Sequence, residues 1–125
     1  MKKKTILITC ADGLGYPSLV RCFNKKEFRV IGTAFNEDAS GFGFVDKGYV
    51  VSGIYTKTYI PDLLKICKQE KVDVLLPVNQ EELLIVSNGE PQFEKVGTKV
   101  LLSPAKAIET VADKEAFFEF CKKEK

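Results

Sequence analysis

The sequence predicts an α/β fold: a Rossmann-like, doubly wound, mainly parallel five-stranded sheet with helices on both faces. Three observations lead there. Five short β-rich runs alternate with segments of helical periodicity, and such alternation implies parallel pairing through crossovers. The runs "TILIT" and "VDVLLPV" are largely apolar, as strands covered on both faces are. A glycine turn, "ADGLGYPS", stands between the first run and the first helix, where doubly wound folds pass from strand to helix.

The first strand is expected at residues 5–9. Pro17 suits the first turn of the helix that follows, where a missing N–H costs nothing. Leu19, Val20 and Phe23 share one face of that helix, and "KKEF" closes it. The second strand covers 28–35. "NEDAS" and "GFGF" read as loop, with Phe42 or Phe44 packing inward. A third strand follows at 48–52. Ile60, Leu63, Leu64 and Cys67 recur at helical spacing, so 59–70 form an amphipathic helix with Pro61 in its first turn. The fourth strand spans 72–78. A short helix at 80–87 is ended by Gly89 and Pro91, and a fifth strand covers 98–103. Ser103-Pro104 reads as a capping hydroxyl followed by proline at the first helical position. Ala107, Ile108 and Val111 are expected to face inward there. Asp113 caps a last helix at 114–123. No repeat and no linker interrupts the pattern, so residues 1–125 form a single domain.

Composition narrows the function. Charged residues make up 29% of the chain and nearly balance at a formal net charge of +2. The lysines are scattered, with no basic stripe of the kind nucleic-acid binders carry. No apolar run approaches the roughly 20 residues of a membrane span, and no signal peptide is evident. Cys10, Cys22, Cys67 and Cys121 lie far apart, as buried thiols of a reducing compartment do, and no metal-ligand spacing is present. The cytoplasm is the expected location. The chain has no histidine, which removes Ser-His-Asp and Cys-His pairs and imidazole-ligated metals. No catalytic residue is assigned.

In doubly wound sheets ligands collect at the carboxyl ends of the strands, near the switch in strand order. That selects the loops at 11–18, 36–40 and 79–82. Gly13 and Gly15 supply the first two glycines of a dinucleotide fingerprint, but Ser18 replaces the third. Glu37 stands at roughly the ribose-binding distance, yet Asn36 holds the first position after Phe35. Asp12 sets a negative charge beside any phosphate and offsets what a helix N-terminus offers an anion. The turn is therefore expected to supply unusual backbone angles and to leave room for a less charged ligand. A small NAD(P)-binding module remains the alternative, as does a non-catalytic oligomerisation or regulatory domain of the same fold.

The most specific stretch comes late. "KVLLSPAKAIETVADKEAFFEF" resembles the end of the N-terminal domain of ATP-grasp enzymes, the family of carbamoyl-phosphate synthase large subunit, biotin carboxylase and related carboxylate–amine ligases. "VLLPVNQEELL" resembles the strand and loop that precede it, and the opening strand and glycine turn fit as well. The likeness covers essentially the whole chain and is nearest to the carbamoyl-phosphate-synthase-like proteins. It implies a pre-ATP-grasp domain, inactive alone, whose parent activates a carboxylate as an acyl phosphate with ATP and Mg for attack by an amine. ATP would lie between later domains, which are expected to begin where this chain stops. Carried over residue by residue, the resemblance puts Lys114 of "ADK" near the nucleotide phosphates. It puts Glu81 and Glu82, behind Asn79, near the substrate's amine, and makes Asp12, Gly13, Leu14 and Gly15 a turn lining the same cleft. Asn36 and Glu37 close the substrate-binding set. The implied partners are a small carboxylate or amine and the grasp domains, with neither nucleic acid nor membrane. Phe117, Phe118, Phe120 and Cys121 would pack against this domain or the missing ones. In the second case an isolated chain exposes an apolar patch and forms a homodimer through it.

Overall fold

The computed structural model describes residues 2–124. Five strands form one wholly parallel sheet: β1 (Lys4–Ile8), β2 (Phe28–Ala34), β3 (Lys47–Val50), β4 (Val74–Leu76) and β5 (Lys99–Val100), in the spatial order β3-β2-β1-β4-β5. The register pairs Leu7 with Ile31 on one side and with Leu75 on the other. Six helices occur among the described residues: α1 (Tyr16–Arg21), α2 (Tyr59–Glu70), α3 (Leu83–Asn88), α4 (Glu90–Lys95), α5 (Ala105–Ala112) and α6 (Lys114–Lys123). The predicted fold class is the observed one.

Alternation along β1 divides the core into two layers. Leu7 packs with Ile31, Leu75 and Val100 against Leu63, Ile66 and Cys67 of α2 and Phe93 of α4. Its neighbours Ile6 and Ile8 point the other way, onto Tyr16 and Val20 of α1. Fully burying one such side chain contributes about 2 kcal/mol. Both faces of the sheet are thus covered, as its apolar runs require.

Several expected elements differ in detail. β1 is shifted by one residue from the expected 5–9, the other four strands are shorter than their expected spans, and β5 has two residues. Proline lacks the N–H of a ladder donor, and β4 stops at Leu76, just before Pro77. The helix expected at 80–87 ends at Gly89 as read, but a second helix, α4, follows it directly. A 3₁₀ turn, Gln80–Glu82, leads into α3, and Gly89 both ends α3 and caps α4. Pro91 opens the new helix instead of closing the old one, as Pro17 opens α1. "GFGF" belongs to a 3₁₀ turn, Ser40–Phe44, in which Phe42 packs against the α1 layer and Phe44 is exposed. Ser103 does not cap α5. Pro104 takes the cap position, and its carbonyl accepts from Ala107 and Ile108. On that helix Ile108 is buried, while Ala107 and Val111 are exposed. Asp113 caps α6 as expected, accepting from Glu115 N and Ala116 N. Cys67 is buried and Cys10 half-buried, but Cys22 and Cys121 are exposed. Two of the four thiols thus depart from the buried reading.

Candidate functional site

The chain runs β1, β2, β3 outward on one side and then crosses over β1 to β4 on the other. The switch in strand order therefore falls between β1 and β4, where adjacent loops leave in opposite directions and a crevice opens. A cleft of about 530 Å³ lies there, a volume within the range of small-molecule sites. Cys10, Asp12, Gly13, Gly15, Tyr16, Leu19, Val78, Asn79 and Gln80 line it.

Backbone bonds fix its walls. Thr9 N donates to Leu76 O at 3.3 Å, and Val78 N donates to Thr9 Oγ1 at 3.1 Å, tying the ends of β1 and β4 together. Ala11 N donates to Thr33 O at 2.8 Å, and Gly41 N donates to Ala11 O at 2.7 Å. Gly41 must be glycine: a Cβ there would lie 2.2 Å from Ala11 O. On the far wall, Asn79 Oδ1 accepts from Glu81 N and starts the 3₁₀ turn. The Tyr16 hydroxyl donates to Ile8 O at 2.7 Å under the floor.

The expected unusual backbone angles are not those of the turn's glycines. Gly15 has φ −84°, and Gly13 is not among the positive-φ residues either. The left-handed residue is Cys10, at φ 57°, where a side chain costs about 1–2 kcal/mol. That conformation swings the chain away from β1 and turns the Cys10 thiol toward Glu82.

Glu82 is fully buried. Its Oε2 accepts from the Cys10 thiol at 2.9 Å, and its Oε1 accepts from the Tyr59 hydroxyl at 3.1 Å. Burial raises its pKa, because these neutral donors replace only part of the lost water. Burial also pushes the Cys10 thiol up to about 12, with the Glu82 carboxylate adding to the effect. Cys10 is therefore no thiolate nucleophile at neutral pH. Burial and Glu82 likewise raise Tyr59. The three groups form a hydrogen-bonded knot joining the loops after β1 and β4 to the start of α2.

The structure brings Asp12, Gly13, Gly15 and Asn79 together in the cleft. Leu14 projects fully into solvent from the same turn. Glu81 stays on the surface, where its carboxylate raises the Tyr55 hydroxyl, whereas Glu82 lies beneath the floor. A smaller side chamber opens beside this cleft, and Asn36 and Glu37 line neither of the two. Asn36 Oδ1 closes a local turn by accepting from Asp38 N. Lys114 sits in the first turn of α6 and lines neither cavity. Tyr16, Leu19, Val78 and Gln80 were not singled out from the sequence. Tyr16 and Gln80 fall inside the selected loops 11–18 and 79–82 without having been named as site residues, whereas Leu19 on α1 and Val78 after β4 lie just outside them.

Comparison with known proteins agrees with this layout. The profile of the PylC-like N-terminal domain matches residues 6–101. No curated protein matches the chain. Among solved structures, N5-carboxyaminoimidazole synthetase from Staphylococcus aureus, complexed with ADP, is 16% identical, with TM-score 0.69 over 98% of this chain and 31% of its own. The biotin carboxylase domain of a single-chain bacterial carboxylase is 12% identical, with TM-score 0.68 over 97% of this chain and 29% of its own. Glycinamide-RNase-transformylase T from Mycobacterium tuberculosis is 14% identical, with TM-score 0.62 over 92% and 33%. At such identities the likeness is one of fold, the α/β fold that opens ATP-grasp enzymes. The present chain spans a third or less of those proteins. The matched stretch takes in the cleft loops and nearly the whole sheet, and the chain belongs to the PylC-like N-terminal domain family.

Proposed function

We propose that this domain forms the substrate-side wall of an ATP-dependent carboxylate–amine ligase of the carbamoyl-phosphate-synthase-like kind, with the nucleotide held by grasp domains. One observation carries the reading: in a chain of this family, the crevice at the strand switch is lined, among the described residues, by Asp12 and by no basic side chain. Such a wall suits a small polar substrate and repels a triphosphate. The residues present do not fit ATP or its metal. No lining cation faces the phosphates, and no cluster of three potential metal ligands exists among the described residues. What the chain's own residues do is bind and orient. Asp12 offers a carboxylate at the rim, and Asn79 offers an amide whose position is fixed by its bond to Glu81 N.

The test is to join the chain to grasp domains from a relative and measure ADP release with Mg-ATP across panels of carboxylates and amines. Release that needs this domain and depends on the amine is the expected result. Nucleotide turnover indifferent to the domain overturns the reading. So does calorimetric binding of NADH to the isolated chain in the micromolar range, which would restore a dinucleotide module.

A further inference from the structure

A side chamber of about 50 Å³ opens beside the cleft, and the two share Cys10, Asp12 and Asn79 in their walls. Thr33 of β2, Phe35 just beyond it and Tyr59 of α2 also line the chamber. It has room for a group of a few heavy atoms, since one water needs about 10–15 Å³. Thr33 is 1% exposed, and its Oγ1 has no hydrogen-bond partner among the described residues. An unpaired buried hydroxyl carries a desolvation penalty. Valine would fill the same shape on a β-branched stem without that penalty, so the hydroxyl costs the fold something and returns nothing within it.

The charge of the lining says what the hydroxyl faces. Among the described residues Asp12 is the one charged side chain in the chamber wall, and the Glu82 carboxyl stands behind Cys10 and Tyr59. With no lysine or arginine present, a ligand carboxylate would meet repulsion, whereas an ammonium group would meet acceptors at Thr33, Asp12 and Asn79.

We propose that Thr33 is a specificity-determining residue: its Oγ1 accepts an N–H from the primary amino group of a ligand lying in the cleft, and Asp12 supplies the counter-charge. Calling that ligand a substrate rests on the ligase reading above; the binding itself rests on the chamber.

The experiment is an NMR titration of the 125-residue chain, threonine methyls labelled, with ethylamine and with propionate as its acidic counterpart. Ethylamine is expected to shift the Thr33 methyl, and propionate to leave it in place. Thr33→Val is expected to weaken ethylamine binding about tenfold, the loss of one charge-assisted hydrogen bond, with a Tm no lower than wild type. Thr33→Ser, which keeps the hydroxyl, retains binding. A Thr33 methyl unmoved by ethylamine overturns the proposal, as does a valine variant that binds like wild type, which would mean the chamber holds water alone. Preference for propionate overturns it too. Should the valine variant fail to fold, the wild-type methyl shift and the serine variant decide. Ethylamine binding through Thr33 without ADP release in the fusion would retire the ligase reading alone. The converse result would retire only this proposal.

Discussion

Two carboxyl groups mark opposite edges of the sheet. Glu70, at the end of α2, lies at the amino-terminal edge beside Arg29 and Lys47, which open β2 and β3. Glu82 lies at the carboxyl-terminal edge, beneath the cleft. Glu82 is fully buried, and Glu70 is covered chiefly by its partners, its side chain being 8% exposed. Their electrostatics are nevertheless opposite. Hydrogen bonds from Lys47, Tyr49 and Arg29, two of them charged, hold Glu70 down to about 2. Glu82 receives neutral donors, and burial raises it. The partner's charge and the depth of burial together decide whether such a carboxyl is kept ionised. One edge is fastened by ion pairs. The other carries a group that is costly to ionise, at the edge where ligands bind in this architecture.

The hardest test of that contrast is truncation. Glu82→Ala leaves the Cys10 and Tyr59 donors facing a void and is expected to cost about 3 kcal/mol. Glu70→Ala is expected to cost only about 1 kcal/mol, because Arg29 and Lys47 can turn to water. Urea unfolding of both variants checks the ranking, and equal losses would erase the distinction.

The pH dependence should also run in opposite senses. The folded-state pKa of Glu70 is depressed, so its stabilisation is present above 4.5 and is lost as pH falls toward about 2. Glu70→Gln should flatten that acid limb. The pKa of Glu82 is raised, so its contribution is whole below 4.5 and declines as pH rises through the folded value. Glu82→Gln should hold stability level across that rise. Denaturant midpoints followed from acid to neutral pH measure both limbs.

Smaller effects sharpen the picture. Tyr59→Phe removes one donor to Glu82 and is expected to cost about 1 kcal/mol. It should also raise the pKa of Glu82 further, which carboxyl-carbon NMR would detect. Cys10→Gly is expected to change stability by less than about 1 kcal/mol, since relief at φ 57° offsets the lost thiol bond and the added chain entropy. A large loss by thermal melting would mean that the thiol matters more to the knot than its single bond suggests.

How much of this could be read from the sequence follows from the physics of each part. The parallel sheet was legible because two-sided burial leaves apolar runs that no surface strand would carry. The end of α3 at Gly89 was legible too, but the helix beyond it was not, although the signal was there: proline at a first helical turn identified α1 at Pro17, and the same chemistry operates at Pro91. The loops of the cleft were legible from topology, hence Asp12, Gly13, Gly15 and Asn79. The fates of Glu81 and Glu82 were not. Adjacent residues of one type are separated only by the path of a 3₁₀ turn, which sends one outward and one under the floor. Thr33 escaped notice because its chemistry lies in a partner it lacks, and a missing bond leaves no mark on composition or spacing.

The seating of Gly41 against Ala11 carries a consequence for anyone redesigning the rim. Residues 36–38 and Leu14 stand clear in solvent and offer freedom to graft or diversify. At position 41 the smallest added methyl would have to wedge two backbones apart before any new contact could form. A saturation library spanning this rim should therefore return broad tolerance interrupted by one silent column.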